Sequence, residues 1–234
     1  MYNNVLWKSV LTQGEKMKKE IIRFTKLFIG LFACALGCII ILKANLGLSP
    51  WDVLHQGLSK TLGITIGQAS IGLGLMIVVL DIFLGQPIGL GTVLNFMSIG
   101  VFMDLILYLN FIPVAESLSL KIIMLLIGIL IYSYGIFLYM VQGMGCGPRD
   151  GFMQILTKRT KYSVGLIKNI IEIIAFSLGW LLGGELGLGT IITALSMGII
   201  LEVMFKFYNV DVKELQHRNI KEEIKHLSKI GKVK

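Results

Sequence analysis

The ionisable groups of this 234-residue chain that stand within apolar sequence are few, and their spacing is informative. Glu172 lies deepest, well inside an apolar stretch, with Asn169 and Lys168 about one turn before it. A carboxylate in hydrocarbon is costly and usually handles a proton or a solute. The bland alternative is a lysine four residues away neutralising it on one helix face. Both readings are open for Lys168 and Glu172. Asp81 lies one turn from the end of another apolar stretch. Asp104 and Glu202 occupy matching places near the ends of two more, either gating the mouths of a path or simply hydrated. Asn95 and Thr193 mark the middles of those same stretches, as links between helices or as path lining.

Two short segments carry the rest of the chemistry: Asn45-Leu46-Gly47-Leu48-Ser49-Pro50-Trp51-Asp52 and Gly143-Met144-Gly145-Cys146-Gly147-Pro148-Arg149-Asp150. Each reads as pliable backbone followed by a helix start. Ser49 is a good N-cap, Pro50 a good first helical residue, and Asp52 can bond back to the cap; Gly147, Pro148 and Asp150 repeat the pattern. Asp52 and Asp150 therefore either cap their helices or bind and gate. Arg149 replaces Trp51 in the second segment, either as a marker of the inner membrane face or as a solute contact.

No enzyme is expected. His55, His217 and His226 fall in a short helix and the tail, and the chain has no H-E-x-x-H, no G-x-S-x-G and no phosphate-cradling lysine loop. Cys34, Cys38 and Cys146 form no C-x-x-C pattern and are read as reduced, so no metal and no cofactor is expected.

The elements that must position these residues are membrane helices. The chain is 55% hydrophobic and 15% charged, with mean hydropathy +0.78, whereas a soluble domain carries about 25% charge. Six stretches are apolar enough to cross, near 24–44, 66–85, 88–109, 120–142, 164–183 and 187–207. Between the first two, and again between the fourth and fifth, lie the Pro50 and Pro148 segments. Five extended residues at about 3.3 Å each reach roughly half the hydrocarbon thickness, and twelve helical residues at about 1.5 Å return a similar distance. Each segment is thus a re-entrant half-helix, or else an amphipathic helix at the interface with Trp51, Leu54, Leu58 and Leu62 as its apolar stripe.

The halves repeat in register. Gly47, Pro50, Asp52, Gln56, Leu58 and Lys60 recur 98 positions later as Gly145, Pro148, Asp150, Gln154, Leu156 and Lys158, and Gly89-Leu90-Gly91-Thr92 recurs as Gly187-Leu188-Gly189-Thr190. Three spans per half make the second copy upside down, an arrangement typical of transporters. The expected fold is therefore an all-α polytopic membrane protein: six transmembrane helices in a 3+3 inverted repeat, with two short re-entrant or interfacial half-helices. Its parts are an N-terminal tail (1–23), a membrane domain (24–209, with repeats near 24–111 and 122–209) and a basic tail (210–234).

Lysine and arginine crowd the two tails and the loop holding Arg149, Lys158, Arg159 and Lys161, which makes all three cytoplasmic. The net charge of +8 is then directed at anionic lipid and not at nucleic acid. Ile220, Ile224 and Leu227 give the last tail an amphipathic helix, on the inner membrane surface or docked to a partner. Met17-Lys18-Lys19-Glu20 reads as a natural start, with 1–16 an upstream extension.

The run Ala44-Asn45-Leu46-Gly47-Leu48-Ser49-Pro50-Trp51-Asp52-Val53-Leu54-His55, with its Gly-Pro-Arg-Asp counterpart at 147–150, resembles the YczE/YitT-like bacterial integral membrane proteins. The likeness covers roughly residues 20–210. It is closer to the YczE side, since this sequence carries no soluble C-terminal domain. The resemblance implies a bacterial plasma-membrane protein and no particular substrate. The residues favour a transporter or facilitator of a small polar or ionic solute, with its path between the halves and a homodimer compatible with six spans. Its candidate path residues are Ser49, Pro50, Trp51, Asp52, Asn95, Asp104, Pro148, Arg149, Asp150, Asn169, Glu172 and Glu202. The rival is a non-transporting membrane protein that assists or regulates a partner protein.

Overall fold

The computed structural model describes residues 13–162, 164–210, 215 and 217–231; the expected N-terminal tail up to residue 12 lies outside them. The described residues are helical, with no strand. In chain order the helices are α1 Gln13–Ala44, α2 Pro50–Leu62, α3 Ile66–Phe83, α4 Leu90–Leu109, α5 Leu118–Met140, α6 Pro148–Arg159, α7 Val164–Leu181, α8 Leu188–Phe207 and α9 Ile220–Gly231. α1, α3, α4, α5 and α8 are long and apolar enough to cross a membrane. Six crossings were expected; among the described residues α7 is not one of these five, although the helix is 18 residues long, as α3 is. α1 also runs on through part of the expected tail, and its 32 residues exceed the ~20 a bilayer needs.

Local chemistry fixes the boundaries. Ser49 caps α2, accepting from the Asp52 amide at 3.4 Å, and Gly63 ends it in the left-handed region at φ 67°. Thr65 and Gln68 form a capping box at α3. α2, α3 and α4 start at Pro50, Ile66 and Leu90, and α6, α7 and α8 start 98 residues later in each case.

α1 and α5 cross antiparallel at the centre, where glycine lets the backbones touch. A Cβ on Gly30 would stand 2.9 Å from the Gly135 carbonyl oxygen, and one on Gly37 would stand 2.7 Å from that of Gly128. α4 packs on α1 through Met103 and Ile106 against Ala35, Cys38 and Ile39. α3 and α4 close on each other, with Gly67 against the Gly100 backbone and Gly74 under the Phe96 ring. α7 and α8 do not pack in this way. Gly198, equivalent to Gly100, has only Lys168 Nζ near it, 3.9 Å from the site of a Cβ.

The expected tail helix exists as α9, but it docks on the protein. Glu223 is fully buried, with Arg23 Nη1 at 2.6 Å and Arg218 Nη1 at 3.4 Å, while His226 Nε2 meets Glu20 at 2.9 Å. Ahead of it, the Arg218 and Ile220 amides donate to the carbonyls of Gly143 and Ile88, each at 3.0 Å. A buried carboxylate between two arginines holds the helix to the protein, while Ile224 of the expected apolar stripe stays 61% exposed.

A candidate site between two half-helices

The two loops that precede α2 and α6 turn inward through left-handed backbone. Asn45 and Gly47 have φ of 52° and 113°, and Gly143 and Gly145 have φ of 63° and 122°. Each loop is held by the helix start of the opposite half. The Leu46 carbonyl accepts from the Gly189 amide at 2.7 Å, and the Met144 carbonyl accepts from the Gly91 amide at 2.7 Å. A Cβ on Gly47 would stand 2.6 Å from Thr190 Oγ1, and one on Gly145 would stand 2.6 Å from Thr92 Oγ1. Glycine is needed there for both dihedral and space. Thr92 then donates to the Cys146 carbonyl at 2.6 Å. The Gly-Leu-Gly-Thr runs are thus the seats of the two loops.

This seating brings the starts of α2 and α6 together inside the molecule. Pro50, Asp52, Val53, Pro148 and Gly151 are all buried. Leu54 packs on Leu73 and Ile77 of α3 and Ala175 of α7, with Trp51 and Leu58 against the same cluster, while the distal member of the stripe, Leu62, is exposed. At the meeting point the Arg149 guanidinium lies 4.7 Å from the Trp51 ring centre. Its Nη2 donates to His55 Nε2 at 3.0 Å. Arginine only donates, so that nitrogen is an acceptor and Nδ1 carries the ring proton. Nδ1 lies 3.2 Å from Asp52 Oδ1, and the Ser49 hydroxyl donates to Asp52 Oδ2. Asp52 therefore orients His55, and His55 orients Arg149. Asp150 Oδ2 accepts from the Tyr139 hydroxyl at 3.4 Å.

Two cavities flank this junction. One, of about 120 Å³, is lined by Asp52, His55, Ser70, Gly74, Asn95 and Phe96. The other, of about 240 Å³, is lined by Ser49, Pro50, Trp51, Lys168, Glu172 and Thr193. Tyr132, Ile136, Arg149 and Asp150 belong to both. The walls correspond through the 98-residue register: Ser70 with Lys168, Gly74 with Glu172, Asn95 with Thr193, and Phe96 with Ala194.

Of the sequence candidates, Ser49, Pro50, Trp51, Asp52, Asn95, Pro148, Arg149, Asp150 and Glu172 all line one of these cavities. Three others stand apart. Asp104 is tied to the start of α3, accepting from Thr65 Oγ1 at 2.5 Å and the Gly67 amide at 2.9 Å, as an anion at a helix N-terminus should be. Glu202 is exposed and pairs with Lys206 at 2.7 Å. Asn169 is exposed on α7. Glu172 keeps its lysine, at 3.8 Å.

Sequence reasoning set His55 aside and passed over Tyr132 and Tyr139. His55 was detectable, since it follows Asp52 by one helical turn; the tyrosines carried no local signal. Asp81 is fully buried beside Gly151, with no hydrogen-bond partner for either carboxylate oxygen. Among the described residues no three His, Cys, Asp or Glu side chains gather closely enough to hold a metal ion.

The profile of a family of unknown function, DUF6198, matches residues 21–206. The uncharacterized membrane protein YczE of Bacillus subtilis is 37% identical over 189 residues, covering 79% of this chain and 86% of its own length. An uncharacterized protein of Haemophilus influenzae is 36% identical over 163 residues, 70% of this chain and 74% of its own. The uncharacterized protein YyaS of Bacillus subtilis is 28% identical over 179 residues, 75% of this chain and 88% of its own. No solved structure matches the chain.

Proposed function

This chain belongs to the DUF6198 family of YczE-like membrane proteins, and on that premise we propose that it is a small transporter of a polar or ionic solute, working by alternating access between two inverted halves. The observation that carries the reading is the pair of register-related cavities in opposite conditions. Beside the 120 Å³ cavity α3 and α4 pack on each other, with Phe96 seated on Gly74. The 240 Å³ cavity lies where α7 and α8 stand apart, beside a half-exposed Lys168. Equivalent segments in two conformations are what a rocking pair of repeats presents at any moment.

In this reading α7, 18 residues long as α3 is, is the sixth crossing. α2 and α6 are re-entrant, since non-helical backbone at depth is tolerated only where protein or a wet cavity surrounds it. Basic residues put both termini and Arg159 in the cytoplasm and Lys60 outside, in the plasma membrane of a bacterium. The cavity beside Lys168 then opens inward, and the pair Phe96–Gly74 is the closed outer gate. Closing α7 on α8 brings Glu172 over Ala194, the reverse of the outer gate's small and large partners. A carboxylate folded in that way is covered by Lys168 or by a proton, which links the inner gate to charge.

Purified protein in liposomes should give saturable solute flux. Cysteines at positions 172 and 194, in a chain with Cys34, Cys38 and Cys146 replaced by alanine, should cross-link during turnover and stop it. Absence of saturable flux for every small polar or ionic solute class removes the transport reading in favour of a protein that assists a partner.

A further inference from the structure

Arg149 and Asp150 stand side by side in the first turn of α6 and both face both cavities. The charges of the other ionisable groups at this point are already engaged. Asp52 receives Ser49 and His55, and Glu172 faces Lys168 at 3.8 Å. Arg149 is different. Its contacts are the acceptor nitrogen of the His55 ring and the face of Trp51, and among the described residues no carboxylate lies within ion-pair distance of it. One Nη2 bond leaves most of its five donors for something else. Asp150 receives one long bond, 3.4 Å from Tyr139, on one oxygen. A fork of donors and an open carboxylate, adjacent and opposite in charge, are therefore presented together at the junction of the two cavities.

We propose that the solute is a small zwitterion of the amino-acid class, its carboxylate held by Arg149 and its ammonium by Asp150. This rests on the transport reading above. The guanidinium fork matches a carboxylate in two parallel bonds. Stacking on Trp51 and the bond to His55 hold the fork in one orientation, so little order is lost when the ligand arrives. A simple anion on Arg149 would set a second negative charge beside Asp150, and a simple cation on Asp150 a second positive charge beside Arg149; a dipolar ligand matches both. The cavity size fits a small solute. At about 30 Å³ per water, even the smaller cavity of about 120 Å³ replaces roughly four waters, which is room for glycine, alanine or serine. The register partner of Arg149 is Trp51, so the central pair is chemically one-sided, and a single ligand orientation serves both cavities.

The test uses the full chain in lipid nanodiscs and reads the fluorescence of Trp51, with Trp7 and Trp180 replaced by phenylalanine. Glycine and alanine should give a saturable change, while acetate and methylamine, which are the two halves of the ligand, should bind at least tenfold more weakly. Arg149→Lys, which keeps the charge and loses the fork, and Asp150→Asn should each weaken alanine binding at least tenfold with the unfolding temperature of the protein unchanged. If either variant fails to fold, the comparison of alanine with acetate and methylamine in the unaltered chain decides by itself. Acetate or methylamine binding as tightly as alanine overturns the zwitterion, as does the absence of any saturable response to amino acids. Counterflow in liposomes separates the two levels. Saturable flux of acetate or methylamine with none of alanine leaves a transporter and ends this proposal, whereas no flux of any solute ends the transport reading beneath it.

Discussion

Replacing Glu223 by alanine should release the C-terminal helix without unfolding the membrane domain. The carboxylate is fully buried, with Arg23 at 2.6 Å and Arg218 at 3.4 Å. Deleting one partner of a buried ion pair costs about 3–5 kcal/mol, because the remaining charge is stranded. Here Arg218 is 39% exposed and can turn to water, so the low end, about 3 kcal/mol, is the better figure. At about 1.4 kcal/mol per factor of ten, that is roughly a hundredfold more undocked tail. A 12-residue helix is marginal alone in water, so undocking means melting, and hydrogen exchange reports it directly. Amides of α9 and of Ile220, which donates to the Ile88 carbonyl, should exchange about a hundredfold faster. Amides at the α1–α5 crossing should not change. Exchange in α9 within about threefold of the unaltered chain, a shift of under 1 kcal/mol, would refute the claim that this buried pair holds the tail.

Gly145→Ala should be among the most damaging single changes, since φ of 122° is strained for alanine and the new Cβ meets Thr92 Oγ1 at 2.6 Å; a loss of about 1–3 kcal/mol or more in thermal unfolding is expected, and a neutral result would mean that the loop is not seated on α4. Asp81→Asn should raise the unfolding temperature, because both buried oxygens lack partners and a neutral amide carries no charge to desolvate; a drop would mean the charge is needed there. Glu185 is held below the ordinary carboxylate range, first by its hydrogen bond to Lys60 and against a smaller burial effect. Its contribution is therefore present above the ordinary carboxylate pKa and lost as the pH falls below it. Both side chains are about half exposed, so Glu185→Gln should cost under about 1 kcal/mol at neutral pH and nothing in acid, read as the pH dependence of the unfolding temperature. Cysteines introduced at 159 and 60 should label from opposite sides of the membrane, the first from the cytoplasm; labelling of both from one side would end the inverted arrangement.

Much of this protein is written in local sequence. Apolar runs of membrane length, Ser49 with Pro50, Thr65 with Gln68, and the 98-residue register of glycines and prolines dictate where helices start, because capping and hydrophobic burial act within a few residues. The register even fixed which segments are equivalent. Which of them touch was decided in three dimensions. Gly30 is equivalent to Gly128 yet packs on Gly135, since an antiparallel crossing pairs each glycine with the other copy's distant partner. Asp104 and Glu202 match in sequence, but only Asp104 faces a helix start, because α3 lies against α4 while α7 stands off α8. The amphipathic tail displayed its apolar face plainly; that Glu223 would be buried between Arg23 and Arg218, the former 200 residues away, depended on where α1 ends in space. The link from Asp52 through His55 to Arg149, spanning 94 residues at its last step, and the pairing of Arg149 with Asp150 at the meeting of two cavities likewise exist only once both half-helices are turned inward. Periodicity and capping are properties of neighbours in the chain, whereas a binding site is a property of neighbours in space.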